Sequence, residues 1–390
     1  MPTSTPPADM DVWILAGQSN MEGVGELATA LPPTDRVWSF TSAGHWDVAA
    51  EPLHRLWESF TTVHQDLMRP SLKEDRKGLS NAEMAKLVAA ERTKGAGLGI
   101  AFGQAIATAV GRPVGLIPAA HGGTNLVQWS PGLKHKRGSS LYGALLERVT
   151  QSARRPAGLL WYQGESEGWD AASARTWGDR FIDWVSALRT DLDQPELPIA
   201  IVQISRTTLD SPSAVAWNIV QRAQWELPRR VKHLAVVSSI DLPLEDCIHL
   251  SSAGLIRLGK RLAKAVIALS AGSPGVAIGP RVAGALLIPK PPDSAFVDLS
   301  FTGVTGHWQV RDHIGGFDIL NADGESHANN HVINAFAHPA DATKIRVHLN
   351  VPLVAGESLA YGVGMRPYCN LVDEADMALG ACVIRVDNVS

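Results

Sequence analysis

The chain has 390 residues, 45% of them hydrophobic and 19% charged, an ordinary globular composition with room for two domains. Its formal net charge of -4 supplies no basic field, so nucleic acid and anionic membranes have no electrostatic support as partners. Twelve tryptophans stand against four tyrosines, and such indoles serve either cores or the stacking of sugar rings.

The N-terminus has neither a basic start nor an apolar run, so it does not read as a signal peptide. No stretch approaches the length that spans a bilayer. The expectation is a soluble protein, cytoplasmic, or secreted or periplasmic if a leader has been removed. Five short apolar runs follow: residues 12–16, 114–118, 158–162, 199–204 and 234–238. None alternates with polar residues, the pattern of strands covered on both faces of a parallel sheet. Amphipathic segments such as 99–110 and 177–192 lie between them, so the fold class is α/β with a doubly wound sheet. Residues 31–94 break the rhythm and read as a long excursion over one sheet edge. Beyond residue 266 the texture changes. Residues 270–275 read as a linker, and short β-prone pieces (296–299, 331–336, 344–349) suggest a small β-sandwich-like domain. The domains are expected at 10–270 and 275–390.

The first strand ends in Gly17-Gln18-Ser19-Asn20-Met21, which puts a serine just past a strand's carboxyl end, on the functional edge of such a sheet. A serine needs a base held by a third group. Asp246 and His249 follow the fifth strand in one loop, where the carboxylate can orient the imidazole. Two loops between them could supply oxyanion donors: His121-Gly122-Gly123-Thr124 through backbone N–H groups, and Tyr162-Gln163-Gly164-Glu165 through the Gln163 side chain. A rival exists. Gly164-Glu165-Ser166-Glu167-Gly168 matches the nucleophile elbow and also follows a strand. The flanking carboxylates Glu165 and Glu167 would oppose an alkoxide and an oxyanion there, but the pattern alone leaves Ser19 and Ser166 both open.

The run from Val12 to Met21 resembles the opening block of the SGNH hydrolases, in the sialate O-acetylesterase-like branch that includes carbohydrate esterase family six. The likeness continues through Trp46 to His54, Gly122-Gly123-Thr124, Leu160 to Glu167, and Asp246 with His249, in the family's order over residues 11 to about 268. The resemblance implies Ser19 as nucleophile, His249 as base and Asp246 as its orienter. It makes the N–H groups of Ser19 and of Gly122 or Gly123, with the Gln163 side chain, the oxyanion donors. It implies a flavodoxin-like three-layer sandwich with a five-stranded parallel sheet, no metal or other cofactor, and removal of acetyl groups from acetylated xylan, sialic acid or similar sugars. Asn20, Trp129 and Glu165 are the candidate substrate contacts, with Trp46 a further candidate wall. Glu165 reads alternatively as a buried structural partner, and both indoles as core. A lipase or thioesterase with an apolar acyl groove, and a non-catalytic carbohydrate-binding protein, are the alternatives on the same scaffold. The tail histidines His307, His313, His327, His331 and His338 fit no metal spacing. Cys247, Cys369 and Cys382 are expected as free thiols, with a Cys369–Cys382 bridge the alternative.

Overall fold

The computed structural model describes residues 5–210, 213–270, 279–290, 292–310, 313–326 and 331–387. The expected linker beyond Ser270, and His327, lie outside the described residues. The five apolar runs form strands: β1 (Asp11–Gly17), β4 (Val114–Pro118), β5 (Pro156–Tyr162), β6 (Ile199–Gln203) and β7 (Leu234–Ser238). Two more, β2 (Val37–Phe40) and β3 (Trp46–Val48), come from the segment read as an excursion. The sheet therefore has seven strands, in the order β3-β2-β4-β1-β5-β6-β7, all parallel except β3. Its five central and far strands run 2-1-3-4-5 in order of appearance, the flavodoxin-like winding. That order reverses between β1 and β5, and ligands bind at such a switch point, beyond the strands' carboxyl ends.

Every residue of β4, β6 and β7 is buried, as expected of strands with helices on both faces. The helices are α4 (Gly99–Val110), α5 (Leu141–Gln151), α6 (Ala171–Asp191), α7 (Ala214–Arg230) and α8 (Ser252–Ser270), preceded by the one-turn α1 (Ser19–Glu22) and by α2 (Val63–Met68) and α3 (Asn81–Glu91). The last two belong to the 31–94 segment, and α3 opens on a capping box in which Ser80 and Glu83 satisfy each other's backbone N–H. The tryptophans go mostly to the core. Trp161 stacks edge-on and tilted among Trp129, Phe181 and Trp184, and all four side chains are inaccessible. No helix among the described residues is long and apolar enough to cross a membrane.

The tail builds two antiparallel sheets, one of four strands (Arg281–Lys290, Ser294–Thr302, Val332–His338, Asp341–Leu349) and one of three (Phe317–Leu320, Ser358–Tyr361, Cys382–Ile384). The smaller sheet docks on the α/β layer. Buried Gln203 exchanges two hydrogen bonds with the Ala381 main chain, at 2.8 and 2.9 Å. Arg281 lies over the Trp225 ring at 3.5 Å. Thr207 N–H donates to Met365 O of the tail, and its hydroxyl donates to Cys247 O in the loop that carries Asp246 and His249. The tail thus braces that loop through Thr207. The three cysteines are free thiols.

Candidate active site

The site begins at a steric constraint. Gly17 ends β1 with φ +130°, and a Cβ there would sit 2.1 Å from the Tyr162 carbonyl oxygen. Glycine lets β1 close on β5 and turn sharply; Gln18 N–H then donates to Tyr162 O at 2.8 Å, and Ser19 starts α1 with its hydroxyl at the switch point.

On the other side of that crevice the β7–α8 loop presents His249. Its Nε2 lies 2.9 Å from Ser19 Oγ, and its Nδ1 lies 2.8 Å from Asp246 Oδ2. An ionised carboxylate only accepts, so Nδ1 carries the hydrogen and Nε2 is free to accept the serine proton. Asp246 Oδ1 takes the Ile248 and His249 N–H groups at 2.9 and 2.8 Å, which makes the loop wrap its own carboxylate. Burial pushes the Asp246 carboxyl up, but these bonds outweigh it and hold the group below the usual carboxylate range. Asn20, next to the nucleophile, is buried and ties the two loops together. Its Nδ2 donates to Glu165 Oε1 (2.9 Å), and its Oδ1 accepts from Leu250 N–H (3.0 Å). Expected as substrate contacts, Asn20 and Glu165 are instead struts: Glu165 is 2% exposed, and its burial pushes its carboxyl up.

The glycine loop leaves β4 along the end of β1, with His121 N–H donating to Gly17 O at 3.0 Å. It is held from below by the Trp129 indole, which donates to Thr124 Oγ1, whose own hydroxyl donates to His121 O. Trp129 is wholly buried, so it supports this loop rather than walling a sugar site. Trp46 packs on Phe40 and donates to Ser152 O, also away from the site. His121 meets His64 of α2 with Nδ1 atoms 3.0 Å apart in a stacked pair. Burial lowers both imidazoles, His121 to about 4, so the pair is neutral, one ring donating and one accepting. Gly122 N–H donates to Glu22 Oε2 at 2.8 Å. The N–H groups of Ser19 and Gly123 carry no hydrogen bond to the described residues.

Gln163 stands elsewhere than its expected role requires. It is fully buried; Nε2 donates to Thr124 O and to the Glu167 carboxylate, and Oε1 accepts from the Trp177 indole. Both amide hydrogens are spent inside the core, so none is left for an oxyanion. Gln163→Ala should therefore keep kcat within about threefold. It should cost roughly 2–4 kcal/mol of stability, because Glu167 and Trp177 lose their buried partners. Denaturant midpoints beside kcat decide this; a hundredfold fall in kcat at unchanged stability would restore the oxyanion role. Ser166 is no better placed as the rival nucleophile. Its hydroxyl lies 3.3 Å from the buried Gln18 amide, which, turned to satisfy its neighbours, donates to Ser166 Oγ, Glu165 Oε2 and Thr124 O. No imidazole is hydrogen-bonded to Ser166 among the described residues.

Sequence reasoning missed Glu22 and His64. An acid three residues after a candidate nucleophile is a signal for the first; His64, in an irregular segment, offers none.

Residues 9–268 match the family model described as carbohydrate esterase, sialic acid-specific acetylesterase. A probable carbohydrate esterase of Arabidopsis thaliana is 27% identical over 279 residues, covering 66% of this chain and 90% of that protein. The crystal structure of an Arabidopsis thaliana protein, also 27% identical, superposes with a TM-score of 0.51 over 66% of this chain and 98% of its own. A carbohydrate acetylesterase from Xanthomonas citri, 18% identical, shares the fold with a TM-score of 0.67, covering 96% of this chain and 80% of its own. Since the model spans well over half of the sequence, the chain belongs to the carbohydrate esterase family of sialic acid-specific acetylesterases.

Proposed function

We propose that the protein is a serine esterase that removes O-acetyl groups from carbohydrate through an acetyl-enzyme. The observation that carries this reading is the continuous chain Ser19 Oγ–His249 Nε2 and His249 Nδ1–Asp246 Oδ2, at 2.9 and 2.8 Å. Ser19 Oγ attacks the acetyl carbonyl while His249 Nε2 takes its proton. The tetrahedral oxyanion collapses, the C–O bond to the sugar breaks, and the sugar oxygen leaves with the proton held on His249. Water, deprotonated by the same Nε2, then releases acetate and restores the hydroxyl. The N–H groups of Ser19 and of the Gly122-Gly123 turn are the assigned oxyanion donors, those of Ser19 and Gly123 unengaged among the described residues and that of Gly122 held by Glu22, each worth on the order of 3 kcal/mol in such a site. Trp169, 48% exposed on the loop after β5, is the assigned platform for a sugar ring.

A second reading is favoured by one feature. A cavity of about 360 Å³ adjoins Glu22, walled by apolar side chains including Leu56, Trp57 and Met68, and would suit acyl groups longer than acetyl. Hydrolysis of p-nitrophenyl acetate, a long-chain p-nitrophenyl ester, acetylated xylo-oligosaccharides and O-acetyl sialic acid separates the two. Acetyl esters should be turned over at least tenfold faster than the long-chain ester, and one acetylated sugar faster still in kcat/KM. A preference for the long chain overturns the acetyl reading, and turnover of none overturns the enzyme.

A further inference from the structure

We propose that Glu22 is an internal occupant of the oxyanion site: at rest its carboxylate holds the Gly122 N–H, and it withdraws into the adjoining cavity when an ester carbonyl arrives. The inference rests on the serine-esterase reading above.

Gly122 lies against the nucleophile. A Cβ built on it would stand 3.4 Å from Ser19 Cβ and 3.2 Å from Glu22 Oε2. The backbone donor of this glycine, which packs against Ser19, is thus spent on a carboxylate, at 2.8 Å. Fixed there, the carboxylate would confront the negative charge that develops on the carbonyl oxygen, the opposite of what an oxyanion site needs. The side chain has a way out. Glu22 lines the cavity of about 360 Å³, and so do Arg92 and Arg55. Arg92 Nη2 is already 4.0 Å from Glu22 Oε1, so a turn about the side-chain torsions exchanges the Gly122 N–H for a guanidinium. Such a pairing is a charge-assisted one and offsets what is lost at Gly122. The present seat is also a poor one for a charge. Burial pushes the Glu22 carboxyl up in spite of Gly122 N–H, Arg92 and His249, all of which favour the ionised form.

A rigid strut that merely orients the glycine turn would behave in the opposite way, and kinetics separate the two. Glu22→Ala should raise kcat/KM for p-nitrophenyl acetate about tenfold, and Glu22→Gln, neutral but still able to accept from Gly122, should raise it less. Val88→Phe narrows the cavity one turn before Arg92. It should lower kcat/KM severalfold in the wild-type background and leave it unchanged beside Glu22→Ala. If circular dichroism shows Glu22→Ala misfolded, Glu22→Gln carries the same comparison. A rate that is unchanged or lower in the Glu22 variants, or a Val88→Phe effect that is the same in both backgrounds, overturns the proposal. Ser19→Ala, assayed alongside, keeps the two claims apart. If it retains turnover, the serine-esterase reading has failed; if it is inactive while the Glu22 variants slow down, only the role of Glu22 has.

Discussion

Ser19→Ala should lower kcat toward acetyl esters by about three orders of magnitude or more, with the fold intact. Among the described residues the hydroxyl is the only nucleophile hydrogen-bonded to His249 Nε2, at 2.9 Å, and its loss removes the covalent step rather than weakening it. The fold survives because the turn is held by other atoms: Gly17 against Tyr162, Gln18 N–H on Tyr162 O, and Asn20 on Glu165 and Leu250. The control is Ser166→Ala. It trims a hydroxyl that, among the described residues, bonds only to the Gln18 amide, and kcat should stay within about threefold. Steady-state kinetics of both variants, with circular dichroism, settle the assignment. Turnover lost in Ser166→Ala and kept in Ser19→Ala would transfer the nucleophile to the elbow after β5.

Asp246→Asn should cost about a thousandfold in kcat while KM changes little. The amide oxygen can still take the Ile248 and His249 N–H groups, so the loop keeps its shape. The amide nitrogen then faces Nδ1 and donates to it, which forces the imidazole hydrogen onto Nε2. A protonated Nε2 cannot accept from Ser19, and the imidazolium formed in the transition state also loses its counter-charge. The Asp246 side chain is 44% exposed, so water compensates part of that loss and the fall should be smaller than at a buried triad. The kcat and KM of the variant are the readout, and a kcat within tenfold of wild type would mean that Asp246 does not orient His249.

What the sequence determined by itself is whatever leaves a local mark. Residues 12–16, 114–118, 158–162, 199–204 and 234–238 were legible as strands because a strand buried on both faces must be apolar throughout. Ser19, Asp246 and His249 were candidates because each sits in a short block beside a strand end, and the fold brings strand ends to one edge. The choice of Ser19 over Ser166 came from the resemblance to the SGNH hydrolases and not from the pattern. The tertiary structure alone decided the rest. Val37–Phe40 and Trp46–Val48 are short strands at one end of the sheet, inside an irregular stretch, and only pairing beside β4 makes them strands. Gln163 and Trp129 lie in the same kind of block as the nucleophile, yet both are consumed by the core. Which hydrogen bonds the buried Gln163 amide makes depends on what packs against it: Trp177 comes from a later helix and Thr124 from another loop. The bond from Gly122 to Glu22 joins residues 100 positions apart. No period or motif encodes such a contact, because it exists only once the sheet has brought the ends of β1 and β4 side by side.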